Sequence, residues 1–329
     1  MKKIVVTLSL IFLFMTPATV AAAERAVRVS YPAPTASQLP LWIAQEWGFF
    51  EKNGVAVELV YVGSSSIAIA ALFGAQLDVV AGGGIGGIAA YLQGYRDLAL
   101  FASLNNRLNF FVYAHPSIMD ASGLRGKRFG VSRFGGVGDF SARYFLKRSG
   151  LDPRRDLTLV QVGSQPDITT ALVRGAIDAG IIAVPQNFMV KKAGYRELGD
   201  LTQAGARYAS NAFLAKRQFI TANKSRMEGF IKALIESIHF VKTHRPEALK
   251  VLSRYTRTTD VEALELTYDE YSQKVWPQVP EIQPEDLKLV LEQLSESNPR
   301  AAEINPAELI YDSLVKDVVK SGLLGQLYR

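Results

Sequence analysis

Apolar and polar positions along this 329-residue chain alternate between two periods. Val27–Tyr31 is short and β-branched and predicts a strand. LPLWIAQEWGFF follows, with Pro40 near a first helical turn and Ile43, Trp47 and Phe50 spaced to share one helix face. VAVELVYV (55–62) alternates like a half-buried strand, 64–73 predicts a helix, and LDVVA (77–81) a short buried strand. A helix over 85–92 and a strand over 98–103 complete the series. Strands separated by helices of this length imply parallel β-α-β units.

A second series begins near His115, with strands over 127–132, 157–162 and 177–184 and helices over 139–148 and 167–174. ALFGAQLDVV in the first half and ALVRGAIDAG in the second are near-repeats. In each, a helix ends, a glycine turns the chain and an aspartate opens the next strand. Repetition of a unit argues for two similar α/β lobes. From Asn223 the pattern becomes helical: Met227, Phe230, Ile231, Leu234, Ile238 and Val241 form one stripe behind Asn223 as an N-cap, and further helices are predicted over 247–254, 261–275 and 285–296. With charged outer faces and no site-like cluster, this tail is expected to pack on the first lobe.

The opening residues change the picture of where such a protein works. Lys2 and Lys3 precede an apolar run over 4–15 and then Ala21, Ala22 and Ala23, the pattern of a secretory leader cleaved after Ala23. The run is short of the roughly 20 residues a spanning helix needs. With no cysteine, the chain has no disulfide, no thiolate metal site and no lipid-bearing residue at the leader's end. A freely diffusing periplasmic protein of roughly 300 residues is expected, which favours two lobes. The formal charge of +6 falls to about +4 without the leader, and it is spread out. No basic block with interleaved aromatics is present to grip nucleic acid.

Gly82, Gly84 and Gly87 match the dinucleotide fingerprint, yet they follow the third strand of their unit rather than the first. No acidic residue stands about 20 positions on, where one should meet a ribose. There is no phosphate-binding P-loop. His115, His239 and His244 are scattered, and no nucleophile, base and orienting acid stand at recognisable spacing, so no catalytic or metal site is expected.

Polar loops at the strand ends are the better candidates, because ligands of open α/β sheets bind beyond the carboxyl ends of the strands. Ser64, Ser65 and Ser66 precede a helix, where a hydroxyl can cap a free N–H or, with two more beside it, meet a ligand. Thr35 and Ser37, Gly83 and Gly84, Asn106, Arg133, Phe134 and Gly135, and Gln186 lie at corresponding ends. Arg133 offers a positive charge, and Trp42 and Phe134 offer apolar walls, although each aromatic is equally a packing residue.

The run from LPLWIAQEWGFFEKNGVAVELVYVGSSSIAIAALFGAQLDVVAGG through FGVSRFGGVGDFSARYFLKRSGLDP to ITTALVRGAIDAGIIAVPQNFMVKKAGY resembles the nitrate, sulfonate and taurine family of periplasmic solute-binding proteins. The resemblance implies a two-lobed, type II-like periplasmic binding protein fold, each lobe a mainly parallel sheet flanked by helices. It places lobe I at 24–110 and 212–329 with the helical tail, lobe II at 111–211, and hinges at 109–113 and 208–213. It also implies a monomer that binds a small solute without a cofactor and passes it to an ABC permease in the inner membrane. The site loops would hold Thr35 and Ser37, Ser64 to Ser66, Gly83 and Gly84, and Arg133 to Gly136. A small anion is the expected solute; a neutral heterocycle or a sensory role stays open. The family also includes an enzyme lineage that makes the thiamine pyrimidine, marked by a cysteine-rich segment and a site histidine. This chain has no cysteine, and its matching loops have no histidine, so no enzymatic activity is expected.

Overall fold

A computed structural model describes residues 25–328 apart from 64 and 83; the leader expected over 1–23, Ser64 and Gly83 therefore lie outside the described residues. Among the described residues, ten strands form two sheets: β1 (Val27–Tyr31), β2 (Val57–Tyr61), β3 (Val79–Ala81), β4 (Leu98–Ser103), β5 (Phe110–Ala114), β6 (Arg128–Val131), β7 (Thr158–Gln161), β8 (Ala179–Ala183), β9 (Arg196–Asp200) and β10 (Ala212–Lys216). The first sheet runs β2-β1-β3-β10-β4 and the second β7-β6-β8-β5-β9.

Each sheet is mixed, with one reversed strand, and its origin explains the lobes. β10 is antiparallel to β3 and β4, and β5 is antiparallel to β8 and β9. Each is the strand the chain enters just after crossing from the other sheet. A reversed strand starts at the edge where its parallel neighbours end, so both crossings run beside the carboxyl ends of the parallel strands. Both sets of strand-end loops thus face one gap, where open α/β sheets bind ligands.

The near-repeat is visible atom by atom. Arg28 N donates to the Asp78 carboxylate at 2.9 Å, and the Arg28 guanidinium reaches the Ala75 carbonyl at 2.5 Å. In the second lobe Arg128 N donates to the Asp178 carboxylate at 2.8 Å, and its guanidinium reaches the Gly175 carbonyl at 2.8 Å. The guanidinium hydrogen bonds hold the Asp178 carboxyl below its ordinary range.

The long predicted first helix is broken. A 3-10 turn over Ala36–Gln38 leads into the helix Leu39–Glu46, and a separate turn, Phe49–Lys52, follows Gly48 in the left-handed conformation (φ 64°). Trp47 and Phe50 consequently part: Phe50 is buried and Trp47 exposed. The tail packs on the first lobe as expected, with the helix Lys224–Thr243 against Leu39–Glu46 and the Phe50 and Phe230 rings stacked 5.3 Å apart. Asn223 occupies the N-cap position of that helix without capping it. Its amide donates backwards to the Phe219 carbonyl at 2.9 Å.

Candidate ligand-binding cavity

A cavity of ≈ 90 Å³ lies between the sheets at the strand ends. The first lobe contributes Thr35, Ser37 and Gln38 from the turn after β1, Gly63 after β2 and Gly82 after β3. The second lobe contributes Ser132, Gly136 and Gly138 after β6, and Ser164 and Gln165 after β7. Asn109, Ser210 and Asn211, on the crossing segments, line it as well. Among the described residues that line it, none is charged.

Helix starts dominate the wall. The helix Val137–Arg148 opens at Gly136, an extended N-cap (φ −93°, ψ 172°) with no side-chain cap, so its first N–H groups are left for whatever occupies the space before them. The helix Gln165–Val173 is different. Ser164 and Asp167 form a reciprocal capping box, with the Asp167 carboxylate accepting from Ser164 N at 2.7 Å and Ser164 Oγ at 2.6 Å. The second lobe therefore presents one open helix start and one that is already closed. Gly82 sits at φ 76°, and a Cβ there would lie 2.9 Å from Pro32 Cγ, so a side chain would close the turn from both directions.

A side-chain network ties the first lobe to the second crossing. Gln38 Nε2 donates to Asn211 Oδ1 at 3.2 Å and to Ser37 Oγ at 3.3 Å, and Asn211 Nδ2 donates to the Ser37 carbonyl at 2.7 Å. Thr35 and Ser37 share a hydroxyl hydrogen bond of 2.9 Å. At the first crossing Asn109 hydrogen-bonds the Tyr271 hydroxyl, and Ser210 Oγ donates to Asn109 Oδ1 at 3.4 Å. Gln38 is 2% exposed, and its Oε1 has no hydrogen-bond partner among the described residues. A buried acceptor without a donor is unfavourable, and a ligand N–H or O–H would relieve it.

Of the residues singled out from sequence, Thr35 and Ser37 meet at this wall. Ser65 begins the helix Ser65–Phe73, and Ser66, exposed on it, is not on the wall. Gly84 is buried where its helix passes the second crossing; an added Cβ would lie 2.7 Å from the Ala209 carbonyl oxygen. Trp42 is core, stacked on Tyr255 at 4.5 Å, because every residue from Leu39 to Ala44 is buried. Asn106 turns away and donates to the Glu281 carbonyl at 2.7 Å.

The turn after β6 explains the fate of its three candidates. Gly136 N donates back to the Arg133 carbonyl at 3.2 Å, Phe134 N donates to Gln161 Oε1 at 3.1 Å, and Gly135 N donates to the Asp139 carboxylate at 3.0 Å. Arg133, Phe134 and Gly135 thus build the turn, and none is on the cavity wall. Phe134 is exposed. Gln186 is buried and lines a neighbouring space. Sequence reasoning did not select Gln38, Asn109, Ser210 and Asn211. The available signal was the polar pair Ser210-Asn211 inside the apolar stretch YASNAFLA.

Two α/β lobes joined by two crossings around a polar interlobe cavity define the periplasmic binding protein fold. A Bordetella bronchiseptica RB50 protein matches with a TM-score of 0.80 at 21% identity, over 90% of this chain and 97% of that one. The alkanesulfonate-binding protein SsuA from Xanthomonas axonopodis pv. citri, solved bound to MOPS, matches at 0.73 and 18% identity over 88% and 100%. The periplasmic nitrate-binding protein NrtA from Synechocystis PCC 6803 matches at 0.71 and 15% over 90% and 88%. The chain belongs to the NMT1/THI5-like family, whose profile matches residues 35–248. YtlA of Bacillus subtilis, which carries a provisional binding-protein name, is 23% identical over 240 residues, 71% of this chain and 72% of its own length. The 4-amino-5-hydroxymethyl-2-methylpyrimidine phosphate synthase of Schizosaccharomyces pombe is 29% identical over 149 residues, 45% of this chain and 41% of the synthase.

Proposed function

We propose that this protein is the extracytoplasmic solute-binding component of an ABC import system, which captures a small organic or inorganic anion of the sulfonate or nitrate kind between its lobes. The observation that carries the reading is the uncapped helix start at Gly136 facing the Thr35 and Ser37 hydroxyls across an uncharged interlobe cavity. Main-chain N–H groups at a helix start and hydroxyls are suited to sulfonate or nitrate oxygens. Charge-assisted hydrogen bonds are worth roughly 1.5–3 kcal/mol each, so three or four supply about 4.5–12 kcal/mol, the scale of the roughly −8 kcal/mol of micromolar binding, and apolar contact on lobe closure has to offset the association costs. The secretory-type leader and the matches to binding proteins support a periplasmic location and delivery to a membrane permease.

Ligand would favour the closed form by touching both lobes at once. Ion pairs between the lobes flank the cleft: Lys147 with Glu296, and Lys192 with Asp260 at 2.6 Å and Glu262 at 2.9 Å. These exposed pairs contribute little individually and weaken with salt, leaving the ligand as the main clasp.

A second reading, a neutral heterocycle with N–H donors, is favoured by Gln38 Oε1, unpartnered among the described residues, and by the lack of a cation among the described residues of the wall. Thermal shift and calorimetry on purified protein against methanesulfonate, taurine, nitrate, bicarbonate and aminopyrimidines separate the two. Stabilisation by the anions supports the first reading. Stabilisation by the aminopyrimidines alone replaces it with the second.

A further inference from the structure

We propose that the outer mouth of the cleft is a second compartment of the same ligand site, shaped for a flat aromatic ring bearing a hydrogen-bond donor, so that the physiological solute is an aryl or heteroaryl compound. This rests on the interlobe cavity being the solute site. A chamber of ≈ 630 Å³ lies beside that cavity, and the two are walled by neighbouring residues of the same loops. Tyr31 and Pro34 bracket Pro32 and Ala33 of the inner wall, Pro166 follows Gln165, and Tyr61 precedes Gly63 by two positions.

The first-lobe side of the chamber is an aromatic platform. The Tyr31 and Tyr61 rings stand 5.6 Å apart at 45°. Trp42 braces the platform from the core, edge-on to Tyr31 at 5.9 Å and stacked on Tyr255 at 4.5 Å. Tyr61 is 49% exposed, an aromatic surface left open inside a cleft rather than on a convex face. A Cβ at Gly63 would lie 3.3 Å from the Tyr61 hydroxyl, so this ring stands where the two compartments meet. Burial, followed by the neighbouring Tyr61 for Tyr31 and Asp167 for Tyr61, raises both phenols above their ordinary value, so they remain neutral donors.

The opposite wall carries Met189, 47% exposed, and Gln186, 4% exposed, whose Oε1 is buried with no hydrogen-bond partner among the described residues. A thioether and an aromatic platform facing each other across a slot suit a planar ring, which prefers offset or edge-on contact with aromatics. The unpaired Gln186 acceptor suits an amino or hydroxyl group on that ring. Arg257, exposed at the rim, adds a cation compatible with an anionic aryl compound. Bare nitrate would leave the platform and the acceptor unused.

Calorimetry on the purified protein with methanesulfonate, benzenesulfonate, 4-aminobenzenesulfonate and neutral 4-aminobenzamide tests this. The wild type is expected to bind 4-aminobenzenesulfonate at least about tenfold more tightly than methanesulfonate, with benzenesulfonate between them. Tyr61→Ala is expected to collapse that difference, with an unchanged far-ultraviolet circular dichroism spectrum and a cooperative thermal transition certifying its fold. Gln186→Leu is expected to erase the preference for the amino-substituted ring over benzenesulfonate. Equal wild-type affinities for the methyl and aryl sulfonates, or an aryl preference that survives Tyr61→Ala, would overturn the aromatic compartment and leave the anion site standing. Tyr61-dependent binding of 4-aminobenzamide without any sulfonate binding would overturn the anion site and leave the compartment standing. Binding of none of the four would overturn both.

Discussion

Replacing Gly136 by aspartate separates stability from binding in a way that only an open helix start can produce. Gly136 is extended (φ −93°, ψ 172°), a conformation any residue adopts, so the substitution introduces no backbone strain. An aspartate there caps the helix Val137–Arg148, gaining a few tenths of a kcal/mol over glycine, and its charge at the positive end of the dipole adds about 0.3–1 kcal/mol. Together these give about 1 kcal/mol and a melting temperature higher by about 2–3 °C for a chain of this size. The same carboxylate, however, stands in the cavity. Two unit charges about 5 Å apart at an effective dielectric of about 20 repel by about 3 kcal/mol, which weakens an anion about two-hundredfold. Gly136→Asn, which caps without charge, should cost about tenfold or less, because it only competes for the N–H groups. Scanning calorimetry and titration with methanesulfonate give both quantities from one preparation. An aspartate variant that binds as tightly as the wild type would remove this helix start from the site, and one that melts earlier would show that Gly136 is not the cap position.

Two other predictions concern the repeated turn. Ala75 adopts the left-handed conformation (φ 53°) where the second lobe has Gly175 (φ 69°), so Ala75→Gly should stabilise the protein by about 0.5–1 kcal/mol in denaturant unfolding; a destabilised variant would refute the strain. The Asp178 carboxyl is held low chiefly by its hydrogen bond from the Arg128 guanidinium. A depressed folded-state value means the stabilisation is complete above the ordinary carboxylate value and is lost as pH falls through the folded one. The melting-temperature gap between wild type and Asp178→Asn should therefore be full near pH 6 and close on going from about pH 4 downward. A gap that does not change with pH would show that the pair carries no linkage.

What the sequence made legible was the part of the fold written in local pattern. The strands and helices from Val27 to Ser103 and from Arg128 to Ala183 follow from period and punctuation, and the paired turns at Asp78 and Asp178 follow from a repeat visible by eye. β5, β9 and β10 were not read as strands, and the spans expected as hinges, 109–113 and 208–213, run into β5 and the start of β10. β9 is the polar RELGD, at an edge, and pairing across a lobe boundary leaves no local period. Among the site candidates, loop position was legible and side-chain direction was not. Ser37 and Arg133 both sit at strand ends, yet Ser37 joins the Gln38 and Asn211 network while Arg133 serves the turn through its carbonyl. Trp42 could have been assigned to the core from LPLWIA, since an unbroken apolar run marks a helix buried on all sides.

The most direct test of the account is a crystal structure of the protein grown with methanesulfonate and, separately, with 4-aminobenzenesulfonate. Sulfonate oxygens are expected within hydrogen-bond distance of the amides at Val137 and Gly138 and of the Ser37 hydroxyl, with the ring of the second compound against Tyr61. Either sulfonate bound outside the interlobe cavity, with the Gly136 helix start facing only solvent, would contradict it.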